Sequence, residues 1–231
     1  MMRKKWTLIA AAVVVGSVLV LGGLLLVFGG KESAAPADVV APPARPAPST
    51  AQPDDAPSGE QGLPVEGPAA QWSLVGRVAV PDSTEAGPRS QGSPAAEGYQ
   101  RSPVGALIAA WNINTRMLLT PGDGWREVVD RQVLDGPGKE AFIKARSTVT
   151  DPSLGDNEAM QVAGFRFVTY DINTAVIQFA SKSGTGALMG STVTVRWVDG
   201  DWRLELQPNG SASSTVTPLK DLSFYTPWSG V

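Results

Sequence analysis

The stretch TVTVRWVDGDWRL, Thr192 to Leu204, decides the fold. Val193, Val195 and Trp197 alternate with Thr192, Thr194 and Arg196, the period of a strand with one packed face and one wet face. Asp199-Gly200 then supplies two residues suited to the positive φ angles of a tight hairpin turn. With that turn Val198 pairs with Asp201 and Trp197 falls opposite Trp202, so both rings share a face with Val193, Val195 and Leu204. This stripe, Trp197, Trp202, Val193 and Val195, is the candidate packing or interaction face. Trp197 is expected beneath the helices, where truncation to Ala would cost about 3–5 kcal/mol. Trp202, one residue past the turn's edge, is expected to stay partly exposed.

The same period extends upstream. Met160 to Tyr170, Thr174 to Ser181, Ser191 to Val198 and Trp202 to Gln207 read as the strands of an antiparallel meander, rich in Val, Phe, Thr, Tyr and Trp. Before them the period is helical. Ser102-Pro103 offers a capping hydroxyl and a proline where its missing N–H costs nothing, and Val104, Leu107, Ile108, Trp111, Thr115 and Leu118 form one stripe. Gly105, Ala106, Ala109 and Ala110 give a small flank for close packing. Thr120-Pro121 with Asp123 reads as a second helix start, leading to Trp125, Val128, Val129 and Val133 until Asp135-Gly136-Pro137. A third helix is expected over Lys139 to Arg146. Trp72 to Val80 reads as one short strand stopped by Pro81, and Asp82 to Gln100 as a wrapping loop. Helices followed by a meander indicate an α+β layer, helices packed on one face of a curved antiparallel sheet.

The N-terminal third has a different character. Residues 1–30 comprise a basic start, Arg3, Lys4 and Lys5, and an uncharged run from Trp6 to Phe28. At about 1.5 Å per residue this run spans about 35 Å as a helix, against about 30 Å of hydrocarbon. It is too long for the apolar core of a cleaved signal peptide, and the basic cluster keeps the N-terminus in the cytoplasm. Residues 31–71 are a Pro/Ala-rich stalk with too little apolar surface to offset chain entropy. Residues 72–231 are left as one extracytoplasmic domain.

Composition narrows the chemistry. The 231-residue chain has neither Cys nor His, which excludes a disulfide framework, an acylated-Cys anchor, Ser-His-Asp and Cys-His catalysis, and His-based zinc sites. From Trp72 onward 14 Lys and Arg face 16 Asp and Glu, a net of −2, without the basic footprint of a nucleic-acid binder. Asp151, Asp156, Asn157 and Glu158 miss the spacing of a calcium loop. Gly184-Thr185-Gly186 lies between strands, so it reads as a hairpin loop rather than a phosphate cradle. Asn209-Gly210-Ser211 matches a glycosylation acceptor too short to weigh. Trp111, Trp125, Trp197, Trp202 and Trp228 could line a ligand cone, although packing is the default for such rings. No catalytic, metal or cofactor residues are assigned.

Three segments carry a resemblance: Tyr99 to Leu107 (YQRSPVGAL), Val195 to Leu204 (VRWVDGDWRL) and Phe224 to Gly230 (FYTPWSG). They resemble membrane-anchored proteins of high-GC Gram-positive bacteria associated with conjugative elements. Their layout is similar to the bitopic assembly factors of type IV secretion, the VirB-eight and TcpC class. The resemblance implies a cystatin-like, nuclear-transport-factor-two-like cone acting as a scaffold at the lipid bilayer. Other channel or secretion subunits and further copies of itself would be its partners, and it would carry no cofactor. A small-ligand domain and an enzyme of the same fold are the alternatives; a buried carboxylate facing the cone would mark the enzyme.

Overall fold

In a computed structural model, residues 62–90, 92–155 and 158–230 are described. The expected membrane segment and all but the last ten residues of the expected stalk lie outside them. Among the described residues no helix is long and apolar enough to cross a membrane.

The order of elements is β1 (Gln71–Val75), β2 (Val78–Asp82), α1 (Pro103–Leu119), α2 (Gly124–Gln132), α3 (Pro137–Arg146), β3 (Gln161–Asp171), β4 (Thr174–Lys182), β5 (Leu188–Val198), β6 (Asp201–Glu205), β7 (Ser213–Leu219) and β8 (Thr226–Pro227). β1 and β2 form a separate two-stranded ribbon. The other strands make one antiparallel sheet ordered β6-β5-β4-β3-β8, with β7 also on β5. The three helices lie on one face, so the α+β layer read from the periodicity is the architecture observed.

The decisive hairpin has the expected register. Asp199 at φ 51° and Gly200 at φ 84° are the turn residues, and Val198 pairs with Asp201 and Trp197 with Trp202. The burial of the two rings is the reverse of the expectation. Trp202 is fully buried, whereas Trp197 is only half-buried. The cause lies in what covers each ring. Residues 98–101 fold over Trp202, whose indole Nε1 donates to the Gln100 carbonyl at 2.9 Å, while the Asp201 carboxylate accepts the N–H groups of Gly98 and Tyr99. β4 has already ended beside Trp197: its first residue, Thr174, pairs with Arg196. The Arg101 guanidinium lies over the Trp197 ring, 5.5 Å from its centre.

α1 begins as read, with the Ser102 hydroxyl accepting the Gly105 N–H at 3.1 Å and Pro103 in the first turn. Thirteen of its seventeen residues are buried, so it is a central helix rather than one with a single packed stripe. The sheet covers one side. On the other, β2 accepts hydrogen bonds from the Trp111 indole at Ala79 and from the Asn112 amide at Pro81. Gly105 is required where the chain doubles back, since a β-carbon there would sit 1.9 Å from the Gln100 carbonyl oxygen.

Other expectations need correction. Trp72 to Val80 is a hairpin turning at Gly76, and Pro81 lies inside β2 opposite Trp72; a two-stranded ribbon leaves an edge on which proline forfeits nothing. Thr120-Pro121 ends α1 instead of starting α2: the Thr120 N–H caps Arg116, and its carbonyl accepts from the buried Arg146 guanidinium at 3.1 Å. Burial lowers the Arg146 pKa, and the charge is held by the Thr120 and Val149 carbonyls, where helix ends favour a cation. α3 starts two residues early, at Pro137. β7 and β8 were not expected.

β5 is the spine of the sheet. Its last half pairs with β6 and its first half with β7, so the two short strands share one edge. The outer face is polar, with Arg166, Gln178, Thr192 and Thr215 linked by side-chain hydrogen bonds and the Tyr225 hydroxyl donating to Gln178.

The chain packs against the domain ahead of the Trp72 boundary. The Trp228 indole donates to the Pro68 carbonyl at 3.0 Å, and the Trp72 and Trp228 rings pack tilted at 58°, 5.1 Å apart. From this seam, rings touch in sequence through Phe165, Phe167 and Tyr170 to Trp202.

Candidate functional site

The inner face of β5 reads, in order, Met189, Ser191, Val193, Val195 and Trp197. Val195 lies between Ala175 and Leu204, and Trp197 faces Trp202, whereas Ser191 lies between Phe179 and Val216, and Met189 between Ser181 and Pro218. On β5 itself side-chain volume falls from Trp197 to Ser191, and a cleft of about 330 Å³ opens at the β7 end between the sheet and the second half of α1.

α1 contributes Trp111, Asn114, Thr115, Met117, Leu118 and Leu119 to this cavity, and α3 contributes Phe142. Met160, Met189, Val193, Val216 and the 210–213 loop complete the wall, with Leu154 and Glu158 at the side. Its lining is mainly apolar. Several polar groups there are engaged already: the Ser213 hydroxyl donates to the Thr215 carbonyl and accepts the Thr192 N–H, and the Ser211 hydroxyl donates to the Ser213 carbonyl. Asn114 Oδ1 differs, being buried without a hydrogen-bond partner. Tyr99 Oη and Arg146 Nε are the other two such atoms among the described residues, and neither residue lines the cavity.

Of the candidate face, Val193 lines this cavity, Val195 is core between it and the hairpin, and Trp197 and Trp202 lie at the opposite end. Of the five tryptophans only Trp111 reaches the cavity. Trp125 packs against Phe142 between the Arg126 and Arg146 guanidiniums, and Trp228 belongs to the seam. The half-buried carboxylate of Asp201 does not line the cavity. It binds the N–H groups of Gly98, Tyr99 and Trp202, and burial is the largest influence raising its pKa.

In the acidic loop Asp151 accepts the Ser153 N–H and Glu158 the Gly155 N–H; Asp156 and Asn157 lie outside the described residues. Among the described residues no three Asp or Glu side chains are grouped to hold a metal ion. Gly184-Thr185-Gly186 lies in the β4–β5 loop, as expected. Asn209 is exposed and its Oδ1 accepts the Ser211 N–H. The sequence allowed a ligand cone but not its lining, which comes from the strand alignment; the one local sign was the Ser and Met at the start of β5.

No curated protein and no solved structure matches this chain. A family model does match, over residues 33–227, taking in the whole sheet through β8 and all three helices. The chain belongs to the family described as Domain of unknown function (DUF8175).

Proposed function

We propose that this protein is a membrane-anchored structural subunit of a conjugative-transfer or type IV secretion-like assembly. Its domain lies outside the membrane on a stalk and binds other subunits through protein contacts. The observation that carries the reading is where apolar surface is left uncovered. Of five large hydrophobic residues exposed among the described ones, four belong to segments that meet at the Trp72–Trp228 seam: Leu63, Val65, Leu74 and Phe224. Val65 is 87% exposed and Phe224 80%, unusual for side chains of this size beside a well-packed core. Exposed apolar residues on segments that meet at one seam support a contact site there. The uncharged run from Trp6 to Phe28, the basic cluster before it and the resemblance of Tyr99–Leu107, Val195–Leu204 and Phe224–Gly230 support the location and the class of partner.

The test is photo-cross-linking from positions 65 and 224 in intact host membranes. The expected products are adducts with a channel or coupling component, or with a second copy of the chain. Adducts with lipid alone, and affinity purification that recovers no such component, would overturn the scaffold reading.

A further inference from the structure

We propose that the cavity between α1 and the β4-β5-β7 end of the sheet is a binding site for a small amphiphile, an apolar body carrying one hydrogen-bond donor that Asn114 receives. Three observations converge on this ligand class, and none depends on the scaffold reading. The first is size. A dry cavity of about 150 Å³ holds a single benzene; at about 330 Å³ this one has room for two fused rings or a medium-length alkyl chain, within the range of small-molecule sites.

The second is the lining. The chain has five methionines, and apart from Met1 and Met2 all of them, Met117, Met160 and Met189, line this cavity. Unbranched, polarizable side chains re-pack around ligands of varied shape. A stable core with no ligand to admit would be expected to hold branched residues at such positions, as β5 does with Val195 beyond the cavity wall.

The third is the polar inventory. The Ser211 and Ser213 hydroxyls and the Glu158 carboxylate have protein partners, whereas Asn114 Oδ1 is buried without one. An unpaired buried acceptor is costly, and a donor on the ligand relieves it. A ligand with the same body and no donor leaves the acceptor unpaired, which is how a polar group in an apolar site confers selectivity. Acidic or phosphate-bearing ligands do not fit, since the lining residues include no Lys or Arg.

The test uses the full chain in lipid nanodiscs, labelled with ¹³C at the methionine methyl groups. Five resonances result, three of them from the cavity. The probes are 2-naphthol and 2-methoxynaphthalene, which share their rings and differ in the hydroxyl donor. Naphthol should shift the Met117, Met160 and Met189 resonances while leaving those of Met1 and Met2 in place. The methoxy compound should need about tenfold more ligand for the same shift, the worth of one hydrogen bond.

Asn114→Leu should erase that tenfold difference while keeping the binding. Ser191→Phe, which fills the cavity from the β5 side, should abolish the shifts with both probes and so serves if the Asn114 variant fails to fold. Equal binding of the two probes to the unaltered chain would overturn the proposal, as would the absence of shifts confined to the three cavity methionines. Either result leaves the cross-linking test of the scaffold reading untouched.

Discussion

The two ends of β5 lie on the same strand, beneath the same helix, yet one is closed and the other hollow. At the β6 end Trp197 and Trp202 meet edge to face at 5.5 Å, Tyr170 packs beside them, and Asp201 and the Trp202 indole fasten the segment leading into α1. At the β7 end Phe179, Ser191 and Val216 make one layer and Ser181 and Met189 share the next, methionines take the remaining wall, and an amide oxygen is left without a partner. Backbone pairing with β4 is continuous from one end to the other. What differs along that shared frame is the side-chain volume β5 carries, so the sheet determines where a cavity can form and the inward residues determine whether one does.

Trp202→Ala puts the greatest strain on this comparison. It empties the closed end and should cost about 3–5 kcal/mol in denaturant unfolding, because the ring is fully buried and its indole N–H is paired. A loss below about 1 kcal/mol would mean that the closed end is no better packed than the open one. Trp197→Ala, across the same pair but half-buried beyond the end of β4, should cost about 1–2 kcal/mol in the same assay. If the two losses were equal, the coverage argument that separates the rings would fail.

At the hollow end the sign should change. Ser191→Leu adds apolar volume to empty space and should leave stability unchanged or raise it by up to about 1 kcal/mol. A loss of about 2 kcal/mol would mean that the site is already filled.

The smallest effect concerns Asp201. Its pKa is raised above 3.8, with burial as the largest cause and the Gly98, Trp202 and Tyr99 N–H groups opposing it. A carboxyl whose folded pKa is raised binds more protons in the folded state than in the unfolded state, so its contribution to stability falls as pH rises through that window. The stability of the native chain relative to Asp201→Asn should therefore decline as pH rises from 3.8 through the raised value, then level off. Urea midpoints of both proteins across the acid range measure this, and a relative stability that climbs instead would overturn the assignment.

The closed end was far more legible in the sequence than the open one. Asp199-Gly200 fixes a turn, the turn fixes the Trp197–Trp202 register, and Ser102-Pro103 marks a helix start with two independent signals. Each is a local rule acting over a few residues. The exchange of burial between Trp197 and Trp202 was not legible, because Gln100 and the Arg101 side chain reach those rings from a hundred residues earlier in the chain. β7 escaped for another reason: Ser213 to Leu219 carries Pro218 and mostly Ser and Thr, a composition suited to an exposed edge that leaves little alternating apolar signal. Thr120-Pro121 misled because a helix end and a helix start draw on the same residue types. The cavity depends on which residues face one another across four strands and two helices, an alignment the sequence holds only once its pairings are known.

The hydrogen bond from Trp228 to Pro68 has a consequence for anyone handling this protein. Residues 160 positions apart meet there, so Pro68 and Trp228 are neighbouring points. From Pro68 to Trp228 the domain is in effect a closed ring of chain. Its ends can be joined by a short linker and the ring reopened at Gly184-Thr185-Gly186, a loop tip whose interruption removes no strand and no helix. By the same geometry a fluorescent tag fused after Gly230, which lies against the Trp72 ring, reports on the surroundings of the seam rather than on those of the Trp197 pole.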